Sequence, residues 1–344
     1  MKEGFDLERL VRRNVMSLAP YRSARDEFEG KASISLDANE NPFENNGLNR
    51  YPDPYQRKLK AKIADLKDVN PSKIFLGNGS DEAIDLLMRA FCEPQDDKIL
   101  IFTPTYGMYR VSAEINNIEA EEVKLDSDFQ PDLTLVKSGY PKLTFLCSPN
   151  NPTGNTIKIE IVETILNTSS GIVVIDEAYA DFSEGTSWTK RLNEFPNLVV
   201  LQTFSKAFGL AGIRLGMAFA SKEIIEVINK IKPPYNINEL TQSYALEELK
   251  NSDKVQDQID LILKERELLK RSLVEIDEVK EVYPSSANFL LVRMERAVEL
   301  YRKLADKGII LRNRSNQVEN AIRITIGTPT ENKVLLENIK AFYS

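Results

Sequence analysis

Residues 197–216 read NLVVLQTFSKAFGLAGIRLG. The first half, Leu198 to Leu201, is a short apolar run rich in β-branched residues. Its length and turn-bounded ends predict a strand covered on both faces rather than a buried helix. The second half holds one lysine, Lys206, and one arginine, Arg214, among small and apolar residues. A surface segment of this length carries more charge and a core segment carries none, so the pair points to chemistry.

The same strand pattern recurs on both sides. KIFLG (73–77), KILIFTPTYGMY (98–109), KLTFLCSPNNPTG (142–154), GIVVIDEAYADF (171–182) and LGMAFAS (215–221) each hold an apolar run, and several end in a turn cluster. DEAIDLLMRAF (81–91) has helical spacing between two of them. Buried strands alternating with helices predict an α/β fold with a mostly parallel sheet covered by helices. Past Pro233-Pro234 the pattern changes. Residues 239–277 read as mostly helical, followed by NFLLVRM, a helix over 296–307, GIILRNRS, a polar turn, AIRITIG and a last helix. The expected organisation is an N-terminal arm (1–35), a large domain (36–232) and a small α+β C-terminal domain (233–344).

Composition narrows the chemistry. The 344 residues hold 45 basic and 52 acidic side chains, a net charge of −7 with no long basic run, which argues against nucleic acid as a partner. MKEGFDLERL has no apolar run, so no signal peptide is expected, and no stretch is long and apolar enough for a membrane-spanning helix. Cys92 and Cys147 lack metal or redox spacing and read as packed thiols of a cytoplasmic protein. There is no histidine at all. Ser-His-Asp and Cys-His catalysis and histidine-ligated metals are therefore excluded, and no metal is expected. A general base must come from Lys, Tyr, Asp, Glu or Cys.

In open parallel sheets, ligands sit beyond the carboxyl ends of the strands. Those ends, read along the chain, are Gly77–Asp81, Thr103–Tyr106, Ser148–Gly154, Asp176–Tyr179 and Thr203–Lys206. LGNGSDE leads from a strand into a helix and offers free N–H groups to an anion; a simple cap by Ser80 or Asp81 is the alternative. Asp176 at the edge of a dry site can keep a heterocyclic nitrogen protonated, or it can merely cap a helix or pair with a loop cation. Lys206 among apolar residues and near Arg214 has a lowered pKa and becomes a nucleophilic amine; the alternative is a snorkelling side chain. The fork of Arg214 also suits a phosphate. In AIRITIG, Ile322, Ile324 and Ile326 share one face, so Arg323 points the other way. Arg312 sits on the strand before it. The two can clamp a phosphate or an α-carboxylate, or stand as solvated edge charges. Together the parts match what pyridoxal phosphate needs: an amine for its aldehyde, a carboxylate for its ring nitrogen, a donor for its phenolate, an anion cradle and an aromatic platform.

At this point the sequence resembles the fold-type-I pyridoxal-phosphate aminotransferases, and among them the branch that acts on histidinol phosphate. The likeness runs from about residue 18 to the C-terminus. NNPTG, DEAY and SKAFGLAGIRLG in that order carry it most specifically, with LAPYRSARDEF, LDANENPF, RYPDP, GNGSDE and TPTYGMY beside them. The resemblance implies that Lys206 forms the imine with the cofactor, that Asp176 pairs with its ring nitrogen, and that Tyr179 and Asn151 bond its phenolate oxygen. It implies Tyr106 on one ring face and Ala178 on the other. The backbone of Gly79, Ser80 and Asp81, with Thr203, Ser205 and Arg214, is implied to hold the phosphate. Tyr51 is implied to reach that phosphate from a neighbouring subunit, which makes the expected assembly a homodimer with shared sites. Tyr21, Asn39, Arg312 and Arg323 match substrate-side positions. The implied reaction is a ping-pong transfer from L-histidinol phosphate to 2-oxoglutarate, in which Lys206 moves the α-proton. Related enzymes on the same scaffold, a threonine-phosphate decarboxylase or an aromatic aminotransferase, remain the alternatives. A non-catalytic pyridoxal-phosphate regulator is more remote, because residues 1–35 are too short for a DNA-binding domain. GNGSDE lacks the GxGxxG of a dinucleotide site.

Overall fold

A computed structural model describes residues 5–20, 33–136 and 141–344. Seven strands form the main sheet: β1 (Ile74–Asn78), β2 (Lys98–Thr103), β3 (Glu119–Lys124), β4 (Leu143–Cys147), β5 (Ile172–Asp176), β6 (Leu198–Thr203) and β7 (Leu215–Ala220). Their order is β1-β7-β6-β5-β4-β2-β3. β2 pairs parallel with β3 and β4, β4 with β5, and β5 with β6; only β7 runs antiparallel to its neighbours, β1 and β6. The expected mostly parallel α/β sheet is the observed one, with seven strands, the number that the fold-type-I resemblance implies.

The apolar runs work as a strand's period of two requires. Ile99, Ile101, Phe145 and Val174 face one buried layer; Leu100, Phe102, Leu146, Val173 and Ile175 face the other. Helices Ser80–Phe91, Met108–Ile115 and Lys222–Ile231 cover the first face, while helices Arg57–Lys67 and Ile159–Thr168 cover the second. β3 reads EAEEVK and shows no apolar run, so the sequence pattern does not mark it as a strand. It is the sheet's edge, where charged side chains face water and only Val123 is fully buried.

The smaller sheet is antiparallel in the order β10 (Arg312–Asn313), β11 (Ala321–Thr325), β9 (Phe289–Met294) and β8 (Val279–Val282). Leu290, Val292, Ile322 and Ile324 from it pack with Leu335 and Ile339 of the last helix, Pro329–Tyr343, to form a separate core. GIILRNRS contributes only Arg312–Asn313 to the ladder, and Ile310 is largely exposed. The segment just past Pro233-Pro234 packs with the large sheet: Ile237, Ala245 and Leu249 join its second buried layer. Among the described residues no helix is long and apolar enough to cross a membrane.

Candidate active site

The carboxyl ends of β1, β4, β5 and β6 open into a cleft of about 390 Å³, walled on its far side by the small sheet. Its floor is Asp176, the last residue of β5 and fully buried. Asp176 Oδ1 accepts the Ala178 N–H at 3.0 Å, and Oδ2 accepts the Tyr109 hydroxyl at 2.6 Å. Burial pushes its pKa up. The Tyr109 and Ala178 hydrogen bonds oppose that shift, nearby Asp81 adds to it, and Lys206 works against it. Its neighbour Glu177 faces away. Glu177 accepts the Ser187 hydroxyl at 2.5 Å, the Trp188 N–H at 2.8 Å and Gln202 Nε2 at 2.8 Å, and so braces the loop behind the site.

Lys206 follows β6 and projects into the cleft, with Nζ 5.6 Å from the centre of the Tyr179 ring. Solvent reaches it through the mouth, yet protein surrounds most of the ammonium. That desolvation lowers its pKa first, and Arg323 lowers it further; Asp176 and Asp81 pull the other way. Lys206 accordingly gives up its proton more readily than an exposed lysine does.

One end of the cleft is a backbone cradle. Gly79 has φ +73° and forms the N-cap of helix Ser80–Phe91, and among the described residues no side chain caps that helix. The cap by Ser80 or Asp81 is thus not the arrangement present. Gly79 N–H donates to Arg214 O at 2.9 Å, and a Cβ at Gly79 would lie 2.5 Å from Arg214 Nη2. Arg214 itself sits in left-handed backbone and reaches Asp81 Oδ2 at 3.5 Å. Thr203 Oγ1 accepts the Ser205 N–H at 3.1 Å and lies 3.0 Å from Ser205 Oγ, which turns both hydroxyls toward the same end. Tyr106 stands at the side of this floor and donates its hydroxyl to Asp81 Oδ1 at 3.1 Å. Uncapped N–H groups, two hydroxyls and a guanidinium fit a phosphate, and the buried carboxylate and desolvated amine fit a protonated heterocycle that carries an aldehyde.

The opposite wall is cationic. Arg312 and Arg323 are register partners on β10 and β11, and Arg314 follows them into the cleft. Ile322 and Ile324 are buried on the other face of β11, as the alternation requires. Arg323 Nη1 donates to Asn151 Oδ1 at 2.5 Å, and Asn151 Nδ2 donates to the Tyr179 hydroxyl at 3.4 Å. Among the described residues, none of the three arginines has a carboxylate partner, and the buried Nε atoms of Arg314 and Arg323 have no hydrogen-bond acceptor. Burial and the other two guanidiniums push the pKa of Arg314 down to about 10. Desolvated cations without counter-ions are costly, and an anionic ligand removes the cost.

Fourteen of the predicted positions therefore meet in one cleft, from Gly79 to Arg323. Asn39 and Tyr51 do not reach it within one chain. They line a separate depression of about 450 Å³ with Leu48, Arg50 and Leu240, and Tyr51 stacks on Tyr235 with ring centres 4.5 Å apart. Tyr21 lies outside the described residues. Sequence reasoning missed Tyr109, Cys147 and Arg314. Arg314 was findable two residues past Arg312, by the alternation of an extended segment; Tyr109 carries no such signal, because the partner that gives it a role, Asp176, lies 67 residues on.

Fold and cleft define an aminotransferase: residues 28–339 match the family described as aminotransferase class I and II. Among curated relatives, the histidinol-phosphate aminotransferase of Christiangramia forsetii is 54% identical, covering 98% of each chain. Among solved structures, the histidinol-phosphate aminotransferase of Clostridium acetobutylicum superposes with a TM-score of 0.79 at 27% identity, over 86% of this chain and 91% of that one. That of Sinorhizobium meliloti, solved in complex with pyridoxal-5'-phosphate, gives 0.77 at 23% identity over 85% and 84%. This chain belongs to the histidinol-phosphate aminotransferases, within the class I and II aminotransferases.

Proposed function

We propose that this protein transfers the amino group of L-histidinol phosphate to 2-oxoglutarate, with pyridoxal phosphate held in the cleft at Lys206. The reading rests on one juxtaposition: a desolvated lysine faces a buried carboxylate, and across from them stand three arginines that have no carboxylate partner among the described residues. The identity of 54% to a histidinol-phosphate aminotransferase supports this substrate over the decarboxylase and aromatic-substrate alternatives.

When bound, the cofactor supplies an aldehyde and an electron-accepting ring. The chain's own residues do the rest. The uncapped N–H groups of Ser80 and Asp81, with Arg214, Thr203 and Ser205, would anchor its phosphate. Asp176 provides the negative charge that keeps a ring nitrogen protonated. Asn151 and Tyr179 would donate to its phenolate oxygen. Lys206 Nζ, whose proton affinity is lowered by desolvation and by Arg323, takes the proton from the substrate's α-carbon, the work histidine does in many other sites. Arg312, Arg314 and Arg323 receive either a phosphate or the carboxylates of the second substrate, which lets one site serve both half-reactions.

The proposal includes a cytoplasmic homodimer in which Tyr51, half-exposed beside the apolar Leu48 and Leu240, reaches the partner's phosphate end. The direct test is a spectrum. Histidinol phosphate should bleach the yellow holoenzyme, and 2-oxoglutarate should restore the colour with release of glutamate. A spectrum indifferent to histidinol phosphate overturns the substrate assignment.

A further inference from the structure

The mechanism needs Asp176 charged, yet it is fully buried and its pKa is raised chiefly by that burial. An isolated carboxylate in such a place protonates unless donors hold it. The groups that face it come from five segments: Asp81 from helix Ser80–Phe91, Tyr106 and Tyr109 from the β2 loop and the helix Met108–Ile115, Cys147 from β4, Tyr179 after β5, and Lys206 after β6. Of these, Tyr109 donates its hydroxyl directly to the carboxylate, at 2.6 Å; among the described residues the one other donor is the Ala178 backbone N–H at 3.0 Å.

Tyr109 has no freedom to turn away. It is fully buried, its ring lies parallel to Phe145 with centres 4.8 Å apart, and it meets Tyr106 edge-on at 5.5 Å. Phe145 fixes the plane of the phenol, and the phenol fixes one oxygen of the carboxylate. The Ala178 N–H fixes the other oxygen. The two contacts set the rotation of Asp176 about its own side-chain bonds, and both strengthen when the carboxylate is charged.

We propose that Tyr109 is a positioning residue for the reaction: its hydroxyl holds Asp176 in its charged form and aimed into the cleft. It touches neither substrate nor cofactor in this account and acts through Asp176. In a chain with no histidine, a phenol that remains neutral near physiological pH does this without bringing a second titrating proton to the site. The inference rests on the role given to Asp176 above.

Tyr109→Phe removes one oxygen and keeps the ring against Phe145. The test reads Asp176 in the apoenzyme by infrared difference spectroscopy with carbon-13-labelled aspartate, using Asp176→Asn to single out its band. The carboxylate should protonate at a pH about one to two units higher in Tyr109→Phe than in wild type, the ten- to hundredfold change in proton affinity expected on losing one hydrogen bond to a charged group. In the holoenzyme the acid limb of kcat should move up by the same interval, while KM and cofactor retention stay within about twofold. In the Asp176→Asn background, adding Tyr109→Phe should no longer move the limb.

An unchanged protonation midpoint in the folded variant overturns the proposal, as does a limb shift that persists without the Asp176 carboxylate. If Tyr109→Phe does not fold, the wild-type apoenzyme decides. Asp176 ionised at pH 7 despite full burial supports the assignment, and a protonated Asp176 refutes it. Failure of the underlying reading looks different: Asp176→Asn would then keep normal turnover, whatever the infrared midpoints show.

Discussion

Replacing Gly216 by alanine tests the cradle with a perturbation the structure sizes. Gly216 lies within β7, paired with Gly77 on β1 and Thr203 on β6, so its backbone is held on both sides. A Cβ there would stand 2.1 Å from Ser80 N and 2.2 Å from Gly79 C, both backbone atoms. Relaxed contacts between such atoms are about 3.5 Å, so the turn must retreat by more than about 1 Å. Overpacking of this kind costs about 1–3 kcal/mol, which predicts a melting temperature lower by roughly 1–4 °C in the apoenzyme. The displaced atoms are the N–H groups assigned to the cofactor phosphate. Each misplaced donor to a charged group costs about 1.5–3 kcal/mol, so cofactor affinity should fall by about ten- to a hundredfold per donor. Calorimetry of the apoenzyme and absorbance titration with pyridoxal phosphate measure the two effects. Gly212→Ala is the control, because a Cβ there meets nothing within 4 Å. Wild-type affinity in a destabilised Gly216→Ala would show that the close approach is structural only and refute the cradle. Wild-type melting would refute the packing argument itself.

Further expectations concern separate parts of the site. Asp176→Asn should retain cofactor and lose about 10²–10³ in kcat, the scale of a preorganised electrostatic group, as read by steady-state rates at matched cofactor content. Arg314→Gln should raise KM for the phosphorylated amine about tenfold or more, since it removes one charge-assisted donor from a dianion; an unchanged KM would remove Arg314 from the clamp. Mixed dimers of Lys206→Ala with Tyr51→Ala should recover activity that neither parent has, because one of their two sites is intact; no recovery on mixing would contradict the shared-site homodimer. Away from the cleft, burial and Lys232 lower the pKa of Lys60 to about 8. The native state therefore releases this proton before the unfolded state does. The stability cost of the buried charge is complete below about pH 8 and is relieved as pH rises toward the unfolded value, an effect of roughly 2–4 kcal/mol. Lys60→Met should accordingly raise the melting temperature at pH 7, and the gain should shrink between pH 8 and pH 10; a gain that grows with pH would contradict the sign.

Much of the site was legible because it is built from strand ends. Apolar runs such as IVVI and LVVL mark buried parallel strands, and the polar residues that follow them, Asp176 and Thr203 to Lys206, stand on one edge of the sheet by construction. The alternation in AIRITIG placed Arg323 against its buried isoleucines. Three things were not legible for physical reasons. β3 is an edge strand whose glutamates answer to water rather than to a core, so it has no apolar signature. Tyr109 reads as an ordinary buried aromatic of an amphipathic helix until Asp176, 67 residues on, supplies its partner. The helix Glu239–Glu248 follows a Pro-Pro break that suggests a domain boundary, and its buried face, Thr241, Gln242 and Ala245, is largely polar, yet Ala245 with Ile237 and Leu249 on either side joins the large sheet's second layer. Such pairings are long-range choices, and local pattern does not encode them.

Every role assigned in the cleft depends on Lys206 holding the cofactor. Borohydride reduction of the reconstituted holoenzyme, followed by proteolysis and mass spectrometry, tests it most directly. The expected product is a single phosphopyridoxyl-modified peptide, labelled at Lys206 and absent from Lys206→Ala. A label on another lysine, or none in protein that remains catalytically active, would contradict it.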